Sequence, residues 1–427
     1  CGACVQTCPT DALHDKFETK TLNPDRTVRT TCTYCGVGCQ LDVSLIDGEI
    51  RGIQAPVTAE VNEGHTCLKG RFAFQFYNHP DRLREPLIKR NGKFEVATWD
   101  EAYDYITERL LRVKEQYGAD AIGCISSSRA TNEENYLMQK MTRVALNTNN
   151  IDGCARVCHA PTAYGMQKSF GTGAATNSIE DLKQTECIFL FGANPTEAHP
   201  VTGARIKQLF MQGITSIVVD PVRTSLAELA TYHLQLRPGT NVALLNMMGH
   251  YIVRENLVKT EFIQKFTEHF EDFKNHVLSL DMDELELLTG VSKELVREAA
   301  LAYARAEKSM EFHGLGVTEH FQGSKTVMLL SNLAMMTGNV GQSGTGLNPL
   351  RGQNNVQGAA DMGVQPHQGA GYMDVNDRAV QDYYAEKYGI PAMPKRCLLY
   401  TSPSPRDSCI HLVCRLLLEK RGGGGGG

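Results

Sequence analysis

The chain has 427 residues, 21% of them charged and 42% hydrophobic, with a formal net charge of −5. This is enough chain for two or three domains with real cores, and a mildly acidic balance without a basic patch argues against a nucleic-acid binder. No uninterrupted apolar run approaches the ~18 residues that a membrane-spanning helix needs.

The first residues, CGACVQTCP, carry Cys1, Cys4 and Cys8 with the spacing of the last three thiols in a bacterial ferredoxin run, and no initiator methionine precedes them. The expectation is a C-terminal remnant of a ferredoxin-like 4Fe-4S domain over residues 1–26, with a missing N-terminal segment that could have carried a signal peptide. The other end, residues 397–427, reads as a translated sequencing adapter followed by poly-glycine; a Ser/Pro linker with a short apolar helix is the alternative. That segment carries four basic and two acidic residues, which leaves −7 for the remainder. It also holds three of the 14 cysteines, and seven of the other eleven lie in the first 67 residues, a crowding that favours cluster ligation in a reducing compartment over disulfides.

Cys32-x2-Cys35-x3-Cys39 and the later Cys67 form a four-thiolate set, with Gly36 and Gly38 letting the backbone fold closely round a 4Fe-4S cubane. A structural zinc site more often uses two paired knuckles. Between these thiols, two alternating apolar runs flank Asp47-Gly48, a hairpin signal, so residues 27–86 read as a small β domain holding the cluster.

An α/β rhythm follows. Thr98-x-x-Glu101 is a capping box, and Ala102, Ile106, Leu110, Val113 and Tyr117 share a helical face that Gly118 can close. Residues 121–125 read as a buried strand ending in the polar run 126–129. Further on, residues 187–191 form an apolar strand, 192–197 a tight turn and 216–219 a second strand closed by Asp220. This is a βαβ unit whose carboxylate stands where ribose hydroxyls are accepted, although it lacks G-x-G-x-x-G.

Cys158 and His159 follow Arg156 in a loop, and 192 positions after His159 stands Arg351, in a Gly-, Asn- and Gln-rich segment over 341–363. A soft thiolate can hold molybdenum or tungsten, a neighbouring histidine can move a proton, and a guanidinium can fork onto a small carboxylate. Together they suggest formate chemistry. A buried structural cysteine and a Cys–His nucleophile pair are the alternatives, the second without any accompanying oxyanion-hole motif. The buried-helix pattern at 327–336 argues that the following loop is ordered round a polar ligand.

CTYCGVGC with CLKG, TNNIDGCARVCHAPT, FGANPTEAHP, VVDP, LRPGTNVALLNMMGH, GLGVTEH and LAMMTGNVGQSGTGLNPLRGQNNVQGAADMG resemble the catalytic α subunit of molybdopterin-dependent formate dehydrogenase, in that family's order over residues 28–377. The resemblance implies an α/β molybdopterin oxidoreductase fold (formate dehydrogenase/DMSO reductase-like), incomplete, with a first α/β domain over 87–153 plus 354–396 and a second, pterin-binding one over 154–353. It implies molybdenum or tungsten held by two pyranopterin guanine dinucleotides with Cys158 as protein ligand, His159 assisting proton movement and Arg351 orienting formate. Lys69 would lie between a pterin and the 4Fe-4S cluster. Arg129, Asn194, Glu197, Asp220, Gly239, Asn241, Gly314 and Gln353 match pterin- or guanosine-contacting motifs.

Ala130 and the order Asp220-Pro221-Val222-Arg223 depart from the family's usual pattern. Implied partners are formate and carbon dioxide together with electron-accepting subunits, either NAD-reducing flavin/iron–sulfur proteins, ferredoxin or hydrogenase, in the cytoplasm. A nitrate-type molybdenum reductase and a silent scaffold like the molybdopterin-fold subunit of respiratory complex I are the rival readings.

Overall fold

The computed structural model describes residues 2–10, 12–13 and 23–394, so the readings on Cys1 and on residues 397–427 fall outside the described residues. The described residues form two compact units, one within 2–82 and 155–354, the other of residues 83–154 and 355–394.

In the first unit five strands form a parallel sheet in the order Tyr232–Leu234, Thr215–Val219, Cys187–Phe191, Ser309–His313, Gly346–Pro349. Cys187–Phe191 and Ser309–His313 are buried throughout, as strands covered on both faces must be. Phe189, Phe191 and Leu347 pack with the helices Asn241–Arg254, Lys293–Arg305 and Gly323–Met336. Ile188, Leu190, Met310 and Phe312 face the opposite way, toward Ile206 and Phe210 of the helix Pro200–Met211. Strand order reverses between Cys187–Phe191 and Ser309–His313, so a crevice opens at their carboxyl ends, the place where such sheets bind ligands.

The same unit carries an antiparallel sheet of Arg26–Thr31, Gln40–Ile46 and Glu49–Gln54. Asp47 and Gly48 both have positive φ, 53° and 77°, which gives the hairpin the backbone twist its strands require. The segment 341–363, read as an ordered loop, contains the strand Gly346–Pro349 and the helix Val356–Asp361.

In the second unit the helix Trp99–Tyr117 has the expected capping box and ends at Gly118. Its expected apolar face is only partly used: Ala102 is buried, but Ile106 and Tyr117 are 52% and 67% exposed. The strand expected at 121–125 is shorter and displaced. Residues Ala119–Ala121 form a 3-10 turn, the strand is Cys124–Ser126, and Ile125 is 79% exposed. Its only neighbouring strand among the described residues is Ile151–Gly153, so one face of this two-stranded ladder has nothing to pack on. Order here comes instead from Arg143, a fully buried guanidinium that donates to Asn149 Oδ1, Gln139 Oε1 and the carbonyls of Gly363, Gln365 and Gln368 at 2.6–3.0 Å.

Candidate active site

Cys32 follows the strand Arg26–Thr31, and its N–H donates to the Cys39 carbonyl at 2.8 Å, closing the loop that carries Cys35. Cys67 is drawn to this loop by Asn62, which the sequence reading did not single out. The side chain is fully buried; its Oδ1 accepts from Gln40 N at 2.8 Å and its Nδ2 donates to the Gln40 and His65 carbonyls at 3.1 and 2.7 Å. Gly70 then permits close packing, since a Cβ there would stand 2.7 Å from Thr66 Oγ1.

Burial pushes the Cys39 thiol up to about 12, with Cys32, Cys35 and Cys67 adding like-charge repulsion, and burial likewise raises Cys32. Four thiols within each other's field suit a site whose ligands are charged and paid for by a cationic cluster. Among the described residues no three thiol, imidazole or carboxyl groups converge as tightly as one metal ion requires. A cubane takes one thiolate on each of four irons, the number that Cys32, Cys35, Cys39 and Cys67 supply. Lys69, exposed two residues after Cys67, acts electrostatically on both Cys32 and His199.

Cys158 is buried at the end of the one-turn helix Ala155–Cys158, and its carbonyl accepts from Thr318 Oγ1 at 2.6 Å. His159 is buried next to it. Nε2 lies 3.1 Å from the Leu350 carbonyl and Nδ1 lies 3.0 Å from Thr162 Oγ1, which in turn is 3.0 Å from His313 Nε2. Burial, reinforced by the Arg351 guanidinium, pushes His159 down to about 3, so the ring is neutral at ordinary pH.

Arg351 follows the last sheet strand; its Nη2 donates to the Gly173 carbonyl at 2.7 Å, and its own carbonyl accepts from His199 Nε2 at 2.6 Å. The structure therefore brings Cys158, His159 and Arg351 together through Leu350, across 192 positions of sequence. Thr162, His199 and His313 were not singled out from sequence, where a histidine or threonine on a buried face carries no distinguishing signal.

A concavity of about 260 Å³ lies in the crevice at the reversal of strand order, lined by Gly192, Asn194, Asp220, Asn241, Gly316 and His320 among others. Three expected contact residues, Asn194, Asp220 and Asn241, meet here. Burial raises the Asp220 carboxyl, whose Oδ1 accepts from Val222 N at 2.8 Å. Gly314 lets the chain leave its strand against Gly192, whose carbonyl would be 2.9 Å from a Cβ at 314. Gly239 stands beside Pro238 at the rim with φ 88°, and Glu197 is exposed and does not line the cavity.

Gln353 Oε1 and Asn354 Oδ1 are buried without a hydrogen-bond partner among the described residues, next along the chain from Arg351. Arg129 belongs to the other unit, exposed in the turn after Cys124–Ser126, where Asn355 holds the turn by donating to the Ser128 and Ala130 carbonyls at 2.9 and 2.8 Å. Near the start, Cys4 is exposed and Cys8 is lowered to about 7, chiefly by its hydrogen bond with Thr10.

A protein-family model described as molybdopterin oxidoreductase matches residues 82–388, and one described as the molybdopterin oxidoreductase Fe4S4 domain matches residues 25–79. The chain belongs to the molybdopterin oxidoreductase family. Among curated proteins it is similar to the F420-dependent formate dehydrogenase subunit alpha of Methanocaldococcus jannaschii, 47% identical over 350 residues, or 82% of this chain and 51% of that one. It is also similar to formate dehydrogenase H of Escherichia coli, 42% identical over 374 residues, or 86% and 52%. The chain spans about half the length of these relatives. Of solved structures, acetylene hydratase from Pelobacter acetylenicus shares the fold, with a TM-score of 0.65 at 23% identity over 74% of this chain and 44% of that one.

The family's cofactors are a molybdopterin and a 4Fe-4S cluster, and this chain has residues that fit both. Four mutually repelling thiols suit the cluster. The unpartnered Gln353 and Asn354 oxygens and the polar crevice suit a ligand rich in N–H groups, as a pterin nucleotide is. No helix among the described residues is long and apolar enough to cross a membrane.

Proposed function

We propose that this chain is the cluster- and pterin-binding part of a formate dehydrogenase, catalysing the reversible conversion of formate to carbon dioxide, one proton and two electrons. The observation that carries the reading is that buried His159, next in sequence to buried Cys158, lies 3.1 Å from the carbonyl of Leu350, the residue before Arg351, and within the field of the Arg351 guanidinium. The formate dehydrogenases among its relatives support the same substrate.

In this reading a bound molybdenum or tungsten bis-pyranopterin guanine dinucleotide supplies the two-electron acceptor, with Cys158 as the protein ligand. Arg351 pairs with the formate carboxylate through parallel hydrogen bonds and so fixes the direction of the C–H bond. His159 holds a proton at Nε2 one residue from the metal ligand and is the group assigned to proton movement. Asn194, Asp220, Asn241 and Gln353 hold the pterin nucleotides, with Gly239 and Gly314 shaping the crevice and Glu197 contributing from outside the cavity.

Lys69, whose charge reaches both Cys32 and His199, lies on the electron path from the metal to the cluster of Cys32, Cys35, Cys39 and Cys67. Cys1, Cys4 and Cys8 belong to a second cluster that leads toward an electron-accepting subunit: a flavin/iron–sulfur protein that reduces NAD, a ferredoxin-linked partner or a hydrogenase. The F420-dependent relatives add that cofactor's reductase to the candidates. We place the enzyme in the cytoplasm.

The test is anaerobic production of the full-length gene product, followed by formate-dependent and nitrate-dependent dye assays. Formate-driven viologen reduction is the expected result. Nitrate turnover with no formate activity would replace the substrate, and a protein with neither molybdenum nor tungsten would favour a scaffold.

A further inference from the structure

We propose that His199 is a positioning residue for Arg351, holding the main chain of that arginine so that its guanidinium meets a small carboxylate in one fixed orientation. What Arg351 binds rests on the formate reading. The link between the two residues does not: His199 Nε2 lies 2.6 Å from the Arg351 carbonyl, across 152 positions of sequence. A carbonyl only accepts, so the imidazole donates from Nε2 in its charged and neutral forms alike.

The backbone at His199 is itself held. The residue is buried and joins two helices, Pro195–Ala198 and Pro200–Met211. Its N–H donates to the Pro195 carbonyl at 2.9 Å, and its carbonyl accepts from Gly203 N at 2.8 Å. A Cβ at Gly203 would stand 2.5 Å from the Pro195 carbonyl, so the two helices touch through their backbones. The imidazole makes no capping bond to the helix that follows it, and its Nε2 serves Arg351 instead.

Arg351 stands where the chain leaves the sheet. Leu350 N donates to the His313 carbonyl at 2.8 Å, extending the pairing of the strand Gly346–Pro349 by one residue. At the next residue the Arg351 carbonyl accepts from His199, while its Nη2 donates to the Gly173 carbonyl at 2.7 Å. Main chain and guanidinium are thus anchored by two different segments. A planar fork held at both ends pairs with a carboxylate in one direction, which is what sets the reacting bond.

The test uses the metal-loaded full-length protein and two probes. Formate reports turnover, and nitrite, which has formate's two oxygens and charge but no hydrogen to give, reports binding to the oxidised enzyme by calorimetry. His199→Met keeps the bulk and removes the donor. Formate kcat/KM should fall about tenfold or more and the nitrite dissociation constant should rise about fivefold or more, with iron and molybdenum or tungsten content normal. His199→Gln, whose amide nitrogen can take the place of Nε2, should restore both to within about threefold of wild type. In an Arg351→Ala background, with nitrite at raised concentrations, His199→Met should weaken binding no further, because the group it positions is gone. Additive losses overturn the proposal, as does a His199→Met enzyme with wild-type formate and nitrite constants. If the methionine variant does not fold, His199→Asn, polar and too short to reach the carbonyl, replaces it in the same cycle. Non-additive nitrite binding without formate turnover leaves the positioning role standing and removes the formate reading; formate turnover with additive losses does the reverse.

Discussion

A Cβ added to Gly36 would fall on the carbonyl of Arg351. The loop that holds the cluster thiols and the loop that presents the guanidinium are therefore in backbone contact, and glycine is what permits it. The same carbonyl accepts from His199 at 2.6 Å, and His199 lies within the field of Lys69. The loop of Cys32, Cys35 and Cys39, Lys69 and Arg351 thus lie along one continuous piece of structure, which suits the electron path proposed above.

Gly36→Ala should accordingly act on both sites. The added methyl overpacks a backbone contact and should cost about 1–3 kcal/mol of stability. Chemical denaturation would report that loss, and iron content together with formate KM should change in the same variant. A Gly36→Ala protein with wild-type stability and formate KM would show that the two loops move independently.

Arg351→Lys keeps the charge and loses the planar fork. Formate kcat/KM should drop on the order of a hundredfold, because a single ammonium leaves the C–H bond free to swing. Metal content and the cluster signal should stay normal. Unaltered formate kinetics would sink the assignment of Arg351 to substrate.

Cys158→Ser replaces a soft ligand by a hard one at a buried position. Formate turnover should fall sharply while the electron paramagnetic resonance of the reduced cluster remains that of wild type, since Cys32, Cys35, Cys39 and Cys67 are untouched. A fully active serine enzyme would refute ligation through this thiol.

Glu311 offers a test of the interior beneath the site. It is fully buried in the strand Ser309–His313, and burial pushes its carboxyl from the ordinary 4.5 up to about 8, while the Tyr303 hydroxyl donates to Oε1. A raised folded-state value means that the folded protein holds this proton more tightly than the unfolded chain does. The contribution is whole below about pH 4.5 and is lost as the pH rises toward 8, by up to roughly 1.4 kcal/mol per unit. Glu311→Gln, which keeps an acceptor for Tyr303 and cannot ionise, should flatten this part of the stability profile when urea midpoints are compared at pH 5 and pH 8. An unchanged slope would mean that Glu311 is already ionised in the folded state.

The sequence by itself determined what depends on neighbours along the chain. The Thr98–Glu101 capping box, the Asp47-Gly48 hairpin and the apolar strands at Cys187–Phe191 and Thr215–Val219 follow from local donors, positive φ and side-chain burial, and all are present. The Cys32, Cys35 and Cys39 spacing was legible for the same reason. Only the tertiary structure decided which distant groups share a site. Nothing in the spacing of Asn62 announces that it ties Gln40 to His65 and so brings in Cys67, or in that of Thr162 and His313 that Thr162 lies within hydrogen-bond reach of both His159 and His313. The short strand Cys124–Ser126 and the exposed Ile106 were misread from periodicity, because an apolar run states what can be buried and only the neighbouring elements decide whether it is. Hydrogen bonds between residues a hundred or more positions apart leave no periodic trace; they exist only once parallel strands have carried His313, Leu350 and Arg351 to the same edge of one sheet.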